Sequence, residues 1–301
     1  MLTTEVFERA FASLSPAWKI NTRARYRTIL EKYVNPYFSK LQINEISQKD
    51  VDGYADGLAA LPLAPATRAL VLVFTQKLFR SLPEGSPDLK ALKFRFPKIP
   101  KRQARVMPGA DAEALARGLP KKGTRRCVGL LLALCTGLRL SELCGLRYSD
   151  FDFVRGCFRV SRIYHRVQAE GPAGKTRLVF EAPKTLNSVR EVPIPPNLLA
   201  ALREQAAGTD RYILSGTAAP VEPRLLDYHF RRILHKLNIA PTHFHILRHT
   251  YATRAVETGT DVKTLSEILG HANVGITLSL YVHPTLEHKR ECIAKSSAFA
   301  A

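Results

Sequence analysis

Four short segments of the chain carry polar residues of unusual type inside apolar surroundings. In Thr136-Gly-Leu-Arg-Leu-Ser-Glu-Leu143, Arg139 follows a long apolar stretch and a glycine break, with Glu142 three residues on, the spacing of one helix face. A local ion pair on a solvated face is the plain alternative, but a guanidinium at the edge of so apolar a run calls for a stronger partner. In Glu181-Ala-Pro-Lys-Thr-Leu-Asn-Ser-Val-Arg-Glu-Val-Pro193, two strand-like runs flank Thr185–Ser188, which reads as a hairpin turn with Lys184 just before it. A lysine there is ordinarily a solubilising charge, yet a hairpin tip can also deliver it into a substrate groove. In His243-Phe-His-Ile-Leu-Arg-His-Thr-Tyr-Ala-Thr253, His245 and Arg248 share one face of a helix, while Leu247 and Tyr251 share another. His249 reads as a satisfied core histidine. Finally Leu269-Gly-His271 precedes Tyr281, in Ser-Leu-Tyr-Val-His-Pro284, by ten residues. Taken alone, Tyr281 is a packing residue. Taken together, Arg139, Lys184, His245, Arg248, His271 and Tyr281 form a set that is cationic or neutral apart from its hydroxyl nucleophile. Such a set suits a substrate with negative charge at the reacting atom, that is, a phosphodiester.

No metal is expected. The His245/His249 spacing lacks the adjacent glutamate of a metalloprotease helix, and five scattered cysteines offer neither a paired metal motif nor a disulfide framework. A phosphate-binding glycine loop, a serine nucleophile elbow and a paired-carboxylate cluster are all missing from the sequence, so no cofactor is expected either.

The elements that must position these residues fall into two segments. Apolar periodicity predicts helices over 22–34, 47–58 and 65–82, the second opened by Ser47 with Asp50 in its first turn. Leu70, Phe74, Leu78 and Phe79 are the core of the third. Residues 1–92 therefore read as a small helical bundle. The stretch 93–106 holds six cations and two prolines and reads as an extended basic linker. Residues 107–301 are mixed, with helices over 111–117, 125–135 and 139–147, then β-branched and aromatic runs over 151–167 and 177–194 that suggest a small antiparallel sheet. Helices return from Pro196, two of them closed by Gly259 and Gly270. The class is α+β, mainly helical.

Charge defines the partner. The chain has 45 Lys and Arg against 26 Asp and Glu, a net charge of +19. The excess divides almost evenly between 1–106 and the remainder, so both segments are expected to touch one polyanion. Nucleic acid or an anionic membrane face is the natural partner of such charge, and Arg23, Arg25 and Arg27 on the first helix, with Lys98, Lys101, Arg102 and Arg105 in the linker, are the candidate nucleic-acid contacts. The longest apolar run, 127–138, is too short to span a bilayer, and the first ten residues do not resemble a secretory signal. A cytoplasmic bacterial protein without membrane contact is expected.

Order and local sequence together resemble the tyrosine recombinase (phage integrase) family. The likeness rests on Arg139 in TGLRLSEL, Lys184 in PKTLNSVREVPIP, His245 and Arg248 in HILRHTYAT, His271 in LGH and Tyr281 in LSLYVHP, and it covers about 107–290. The helical segment is similar to the family's core-binding domain by pattern alone. The interval between His271 and Tyr281 and the excursion over 169–175 are similar to conjugative-transposon and phage integrases. At this length the extra arm-binding domain common in those integrases is not expected, which brings the chain nearer the Xer-like recombinases. The resemblance implies that Tyr281 attacks a scissile phosphate to give a 3′-phosphotyrosyl link. It also implies that Arg139 and Arg248 clamp the non-bridging oxygens, Lys184 protonates the leaving 5′-oxygen, His245 accepts a proton and His271 adds a phosphate contact. Glu142 would support Arg139. Double-stranded DNA is then the partner, with four protomers on two sites and the 285–295 segment docking on a neighbour. A type IB topoisomerase uses similar chemistry, and a non-catalytic DNA-binding or RNA-binding protein would share the charge but not the six motif residues.

Overall fold

The computed structural model describes residues 3–82, 89–100, 105–119, 124–169, 176–183, 186–206, 210–281, 290 and 293–294. The chain divides into two compact units, one comprising 1–102 with 167–177 and the other 103–166 with 178–301.

The first unit is helical. Helix α1 (Thr3–Leu14) precedes the expected helices, and its Phe7, Ala10 and Phe11 recur at helical spacing and are buried. The helix expected over 22–34 is one piece of a longer run: α2 (Ile20–Ile29), a π turn at Leu30–Val34 and α3 (Asn35–Phe38). Pro36 brings no N–H and would crowd the carbonyl four residues back, and the wider π turn ahead of it accommodates both defects. Helix α4 (Gln48–Ala60) begins with the anticipated cap, in which Asp50 accepts from the Ser47 backbone N–H and hydroxyl. Helix α5 (Pro65–Arg80) buries Phe74, Leu78 and Phe79. The Phe79 ring packs with Phe7 and Phe38, which also meets Tyr54, and the Phe74 ring packs with Phe11, Trp18 and Tyr26, together forming an aromatic core. The start of the basic stretch, 93–100, has no assigned helix or strand and is tied to α4: Gln48 exchanges hydrogen bonds with the Lys93 backbone, and Arg95 pairs with Asp52 and Asp56.

In the second unit α6 (Gly109–Gly118) and α7 (Arg125–Thr136) precede the short α8 (Leu140–Gly145), so the helix expected over 139–147 is confined to its middle. Helix α7 is the centre of the core, with every residue from Val128 to Ala133 buried. Strands β1 (Phe151–Asp152), β2 (Cys157–Val160) and β5 (Arg190–Pro193) form an antiparallel sheet in the order β1-β2-β5, with Phe158 opposite Val192. Strands β3 (Ile163–Gln168) and β4 (Thr176–Glu181) form a separate two-stranded sheet. Helices α9 (Pro196–Glu204), α10 (Pro223–Lys236), α11 (Ile246–Glu257), α12 (Val262–Leu269) and α13 (Val274–Tyr281) complete the unit. Gly259 and Gly270 follow α11 and α12 in the left-handed conformation, as expected of helix stops.

This arrangement corrects one expectation. Because β4 and β5 belong to different sheets, the segment between them is a sheet-to-sheet connection containing a 3-10 turn at Leu186–Ser188, not a hairpin tip. Lys184 itself lies outside the described residues. Both flanking runs have strand composition, and composition does not name a strand's partner: β5 finds β2 by register.

Glycines at two positions should respond in opposite directions. Gly137 has φ +67°, and an added Cβ would lie 2.7 Å from Leu269 Cδ2 and 2.7 Å from Tyr251 Cδ1. Gly57 is exposed within α4 with nothing near that position. Gly137→Ala should lower stability by at least ~1 kcal/mol, and Gly57→Ala should raise it by about 0.5–1 kcal/mol. Thermal unfolding of the two variants checks the pair. A Gly137→Ala protein as stable as the parent would refute the close approach at that turn.

Candidate active site

The site begins where α7 ends. Gly137 closes α7 in the left-handed conformation, its N–H donating to the Ala133 carbonyl, and this turn throws Arg139 out of the core to cap α8. The Arg139 backbone N–H donates to Glu142 Oε2 (2.9 Å) and its Nη1 to Glu142 Oε1 (2.6 Å). The pair is not the solvated-face contact that spacing alone allows, for the Glu142 side chain is 1% exposed and that of Arg139 33%.

Arg248 approaches from α11. It is 1% exposed, and its Nη1 donates to the Gly137 carbonyl (2.9 Å) and its Nη2 to the Leu269 carbonyl (2.7 Å). Arg139 reaches the same corner, donating to the Leu269 carbonyl (3.4 Å) and the Gly270 carbonyl (3.3 Å). The TGLR, HILR and LGH segments thus meet at the C-terminal end of α12, where the last carbonyls of the helix attract cations. Gly270, at φ +63°, makes the turn there and leads into His271.

Sequence reasoning missed one member. Arg190, the first residue of β5, is 9% exposed and forks onto Glu142 through Nη1 (3.2 Å) and Nη2 (3.0 Å). Its Nε donates to the Ile268 carbonyl and its Nη1 also to the Ser188 carbonyl (3.1 Å). The available signal was an arginine at a strand position that otherwise alternates toward the core. Burial alone would raise the Glu142 pKa, but the charge of Arg190, and after it that of Arg139, hold the carboxyl below the ordinary carboxylate range. Arg139 and Arg190 therefore share one carboxylate while Arg248 donates to the neighbouring carbonyls, and three guanidiniums beside one carboxylate leave the cluster with excess positive charge. An anion is what such a cluster binds.

The histidines border it. His271 is buried, with Nδ1 2.8 Å from the Thr277 hydroxyl of α13. Burial first, then the charges of Arg248 and Arg139, push its imidazole down to about 4. His245 precedes α11 and lies edge-on to His249, with ring centroids 4.6 Å apart. By surface area the residue is exposed, yet crowding of its ring by the surrounding protein, then the charges of His249 and Arg248, push the imidazole down to about 4. His249 is half-buried, not a full core residue, and burial lowers its pKa as well. The backbone of Tyr281 ends α13. Among the described residues no three His, Cys, Asp or Glu side chains converge on one point.

The candidate DNA contacts are arranged differently. Within the first unit, Arg23, Arg25 and Arg27 line a groove of about 1100 Å³. Arg25 is exposed, while Arg27 is committed to Glu8 (2.6 Å) and stacks over Phe11. Lys98 and Arg105 are exposed, and Lys101 and Arg102 lie outside the described residues, as does most of the 285–295 segment. Among the described residues no helix is long and apolar enough to cross a membrane.

Comparison with known proteins agrees with this geometry. Residues 105–288 match the phage integrase family and residues 4–59 match the phage integrase N-terminal SAM-like domain. A tyrosine recombinase XerC-like protein of Caldanaerobacter subterraneus subsp. tengcongensis is 28% identical over 97% of this chain and 81% of its own length. Tyrosine recombinase XerC of Chlorobaculum tepidum is 29% identical over 75% of this chain and 65% of its own. The fold is shared with the Tn1549 transposon integrase, solved in complex with circular intermediate DNA (TM-score 0.73, 23% identity, 98% of this chain and 100% of that one). It is shared also with a lambda integrase dimer on a core site (TM-score 0.65, 16% identity, 92% and 94%). The residues that order and local sequence single out, the corner where three of their segments meet and the span of the match agree: this chain belongs to the phage integrase family, the tyrosine recombinases.

Proposed function

We propose that the chain cleaves and rejoins duplex DNA at specific sites, with Tyr281 as nucleophile and the Arg139/Arg248 corner as the seat of the scissile phosphate. One observation carries this reading: Arg139 and Arg248, distant in sequence, both donate to the Leu269 carbonyl. Two guanidiniums anchored on one backbone atom are pre-aimed at whatever lies beyond them, and fixed donors stabilise the charge that grows on the phosphate in the transition state.

The steps follow from the groups present. The Tyr281 oxygen attacks phosphorus, its proton passing to His245, while the bond to the 5′-oxygen breaks and Lys184 gives that oxygen a proton. A 3′-phosphotyrosyl bond and a free 5′-hydroxyl result, and attack by a 5′-hydroxyl reverses the step without an external energy source. His271 contacts the phosphate, and Glu142 holds Arg139. The first unit acts as the core-binding domain, with Arg23, Arg25, Lys98 and Arg105 toward the DNA backbone. Four protomers assemble on two sites, the 285–295 segment docking between neighbours. The host is a mobile element in a bacterium, and the enzyme works in the cytoplasm at the nucleoid.

On a nicked duplex bearing the core site recovered from the flanks of the gene, the parent should trap a denaturant-resistant protein–DNA adduct in EDTA. Tyr281→Phe should bind the duplex and trap nothing. Equal trapping by Tyr281→Phe would end the assignment and turn attention to Tyr251.

Lys184 separates from the arginines by leaving group. A 5′-bridging phosphorothiolate departs without a proton, so it should rescue Lys184→Ala. Arg139→Ala and Arg248→Ala should each lose on the order of 10²–10³ in rate and stay slow on that substrate. Equal recovery of all three would make the lysine another electrostatic contact.

The pH profile tests His245. An imidazole held at about 4 is neutral at ordinary pH and accepts a proton until acid charges it. Cleavage should therefore persist as pH falls through 6.5, the ordinary imidazole value, and decline as it approaches about 4. His245→Gln should be slow and lack this decline. An acid limb near 6.5 in the parent would contradict the lowered pKa.

A further inference from the structure

We propose that Arg190 is a positioning residue that takes up the charge of Glu142 and so keeps the charge of Arg139 available to the scissile phosphate; this rests on the reading of the site given above. A buried carboxylate beside one arginine would be expected to bind it through both oxygens, fork to fork. Glu142 does not do this with Arg139, from which it takes one side-chain donor and one backbone N–H. It is Arg190 that meets both oxygens, Nη1 on Oε1 and Nη2 on Oε2, with side chains 6% and 1% exposed.

The fork is held from three sides. The Ile268 carbonyl accepts from Nε, the Ser188 carbonyl accepts from Nη1, and Gly270 leaves the space, since a Cβ there would lie 2.9 Å from Nη1. β5, the N-terminus of α8 and the end of α12 are thereby joined at one side chain. Without Arg190, Glu142 would be buried with Arg139 as its one charged partner, and the pair would close on itself. An arginine so neutralised is a weaker ligand for a phosphate.

The test uses adduct formation on the nicked duplex, with a phosphodiester or a neutral methylphosphonate at the scissile position. Arg190→Met should slow the phosphodiester reaction by on the order of 10–100-fold. On the methylphosphonate, which has no such charge to balance, its deficit should shrink to within about threefold. Adding Glu142→Gln should restore much of the phosphodiester rate, because the charge that captures Arg139 is gone. If Arg190→Met does not fold, Arg190→Lys, which keeps the charge and loses the fork, should show a smaller deficit with the same dependence on linkage. A parental rate in Arg190→Met, or one deficit on both linkages, would overturn the proposal, the latter indicating support of the fold alone. Failure of the parent itself to form an adduct would instead overturn the functional reading. The charge coupling then stands or falls by thermal unfolding, where Glu142→Gln should destabilise the parent and not the Arg190→Met protein.

Discussion

A cluster of guanidiniums repels itself, and burying it removes the water that would screen the repulsion. Arg139, Arg190 and Arg248 converge with one carboxylate between them, so the balance comes from backbone carbonyls of Gly137, Ile268, Leu269 and Gly270. Those carbonyls are available because α7 and α12 both end nearby in left-handed glycines, which turn the chain away and leave the last peptide oxygens without helical partners. The charge that makes the site useful is therefore held by the ends of helices whose own burial is apolar. Leu130, Leu132 and Ala133 anchor one and Leu265 and Leu269 the other, and none of these touches water.

The electrostatic consequence extends beyond the clamp. Desolvation first, and then the charges of Arg248 and Arg139, disfavour protonation of the neighbouring imidazoles. His245 and His271 are thus kept neutral beside a positive cluster, by position and not by residue type. The chain as a whole carries the same sign of surplus, a net charge of +19.

Much of this was legible from the sequence because it is local. The glycine stops at 259 and 270, the Ser47 cap and the apolar run through α7 each follow from a few adjacent residues. The TGLR, HILR and LGH segments, which meet at the end of α12, were legible for the same reason, each being a short signature. What escaped depends on pairing across the fold. Arg190 reads as an ordinary strand residue until Glu142, from a helix far earlier in the chain, is placed beside it. The connection bearing Lys184 reads as a hairpin until β5 is found on β2. Helix α1 was different, since Phe7, Ala10 and Phe11 carried a periodic signal that the intervening charges obscured.

In the proposed reaction, two arginines fixed on the Leu269 carbonyl receive the scissile phosphate. A crystal structure of the Tyr281→Phe protein on an uncut core-site duplex tests it directly. The account requires one non-bridging oxygen within hydrogen-bond distance of Arg139 and the other within reach of Arg248, with both side chains still donating to Leu269. A scissile phosphate seated away from that corner, or arginines that must leave the carbonyl to reach it, would contradict the account.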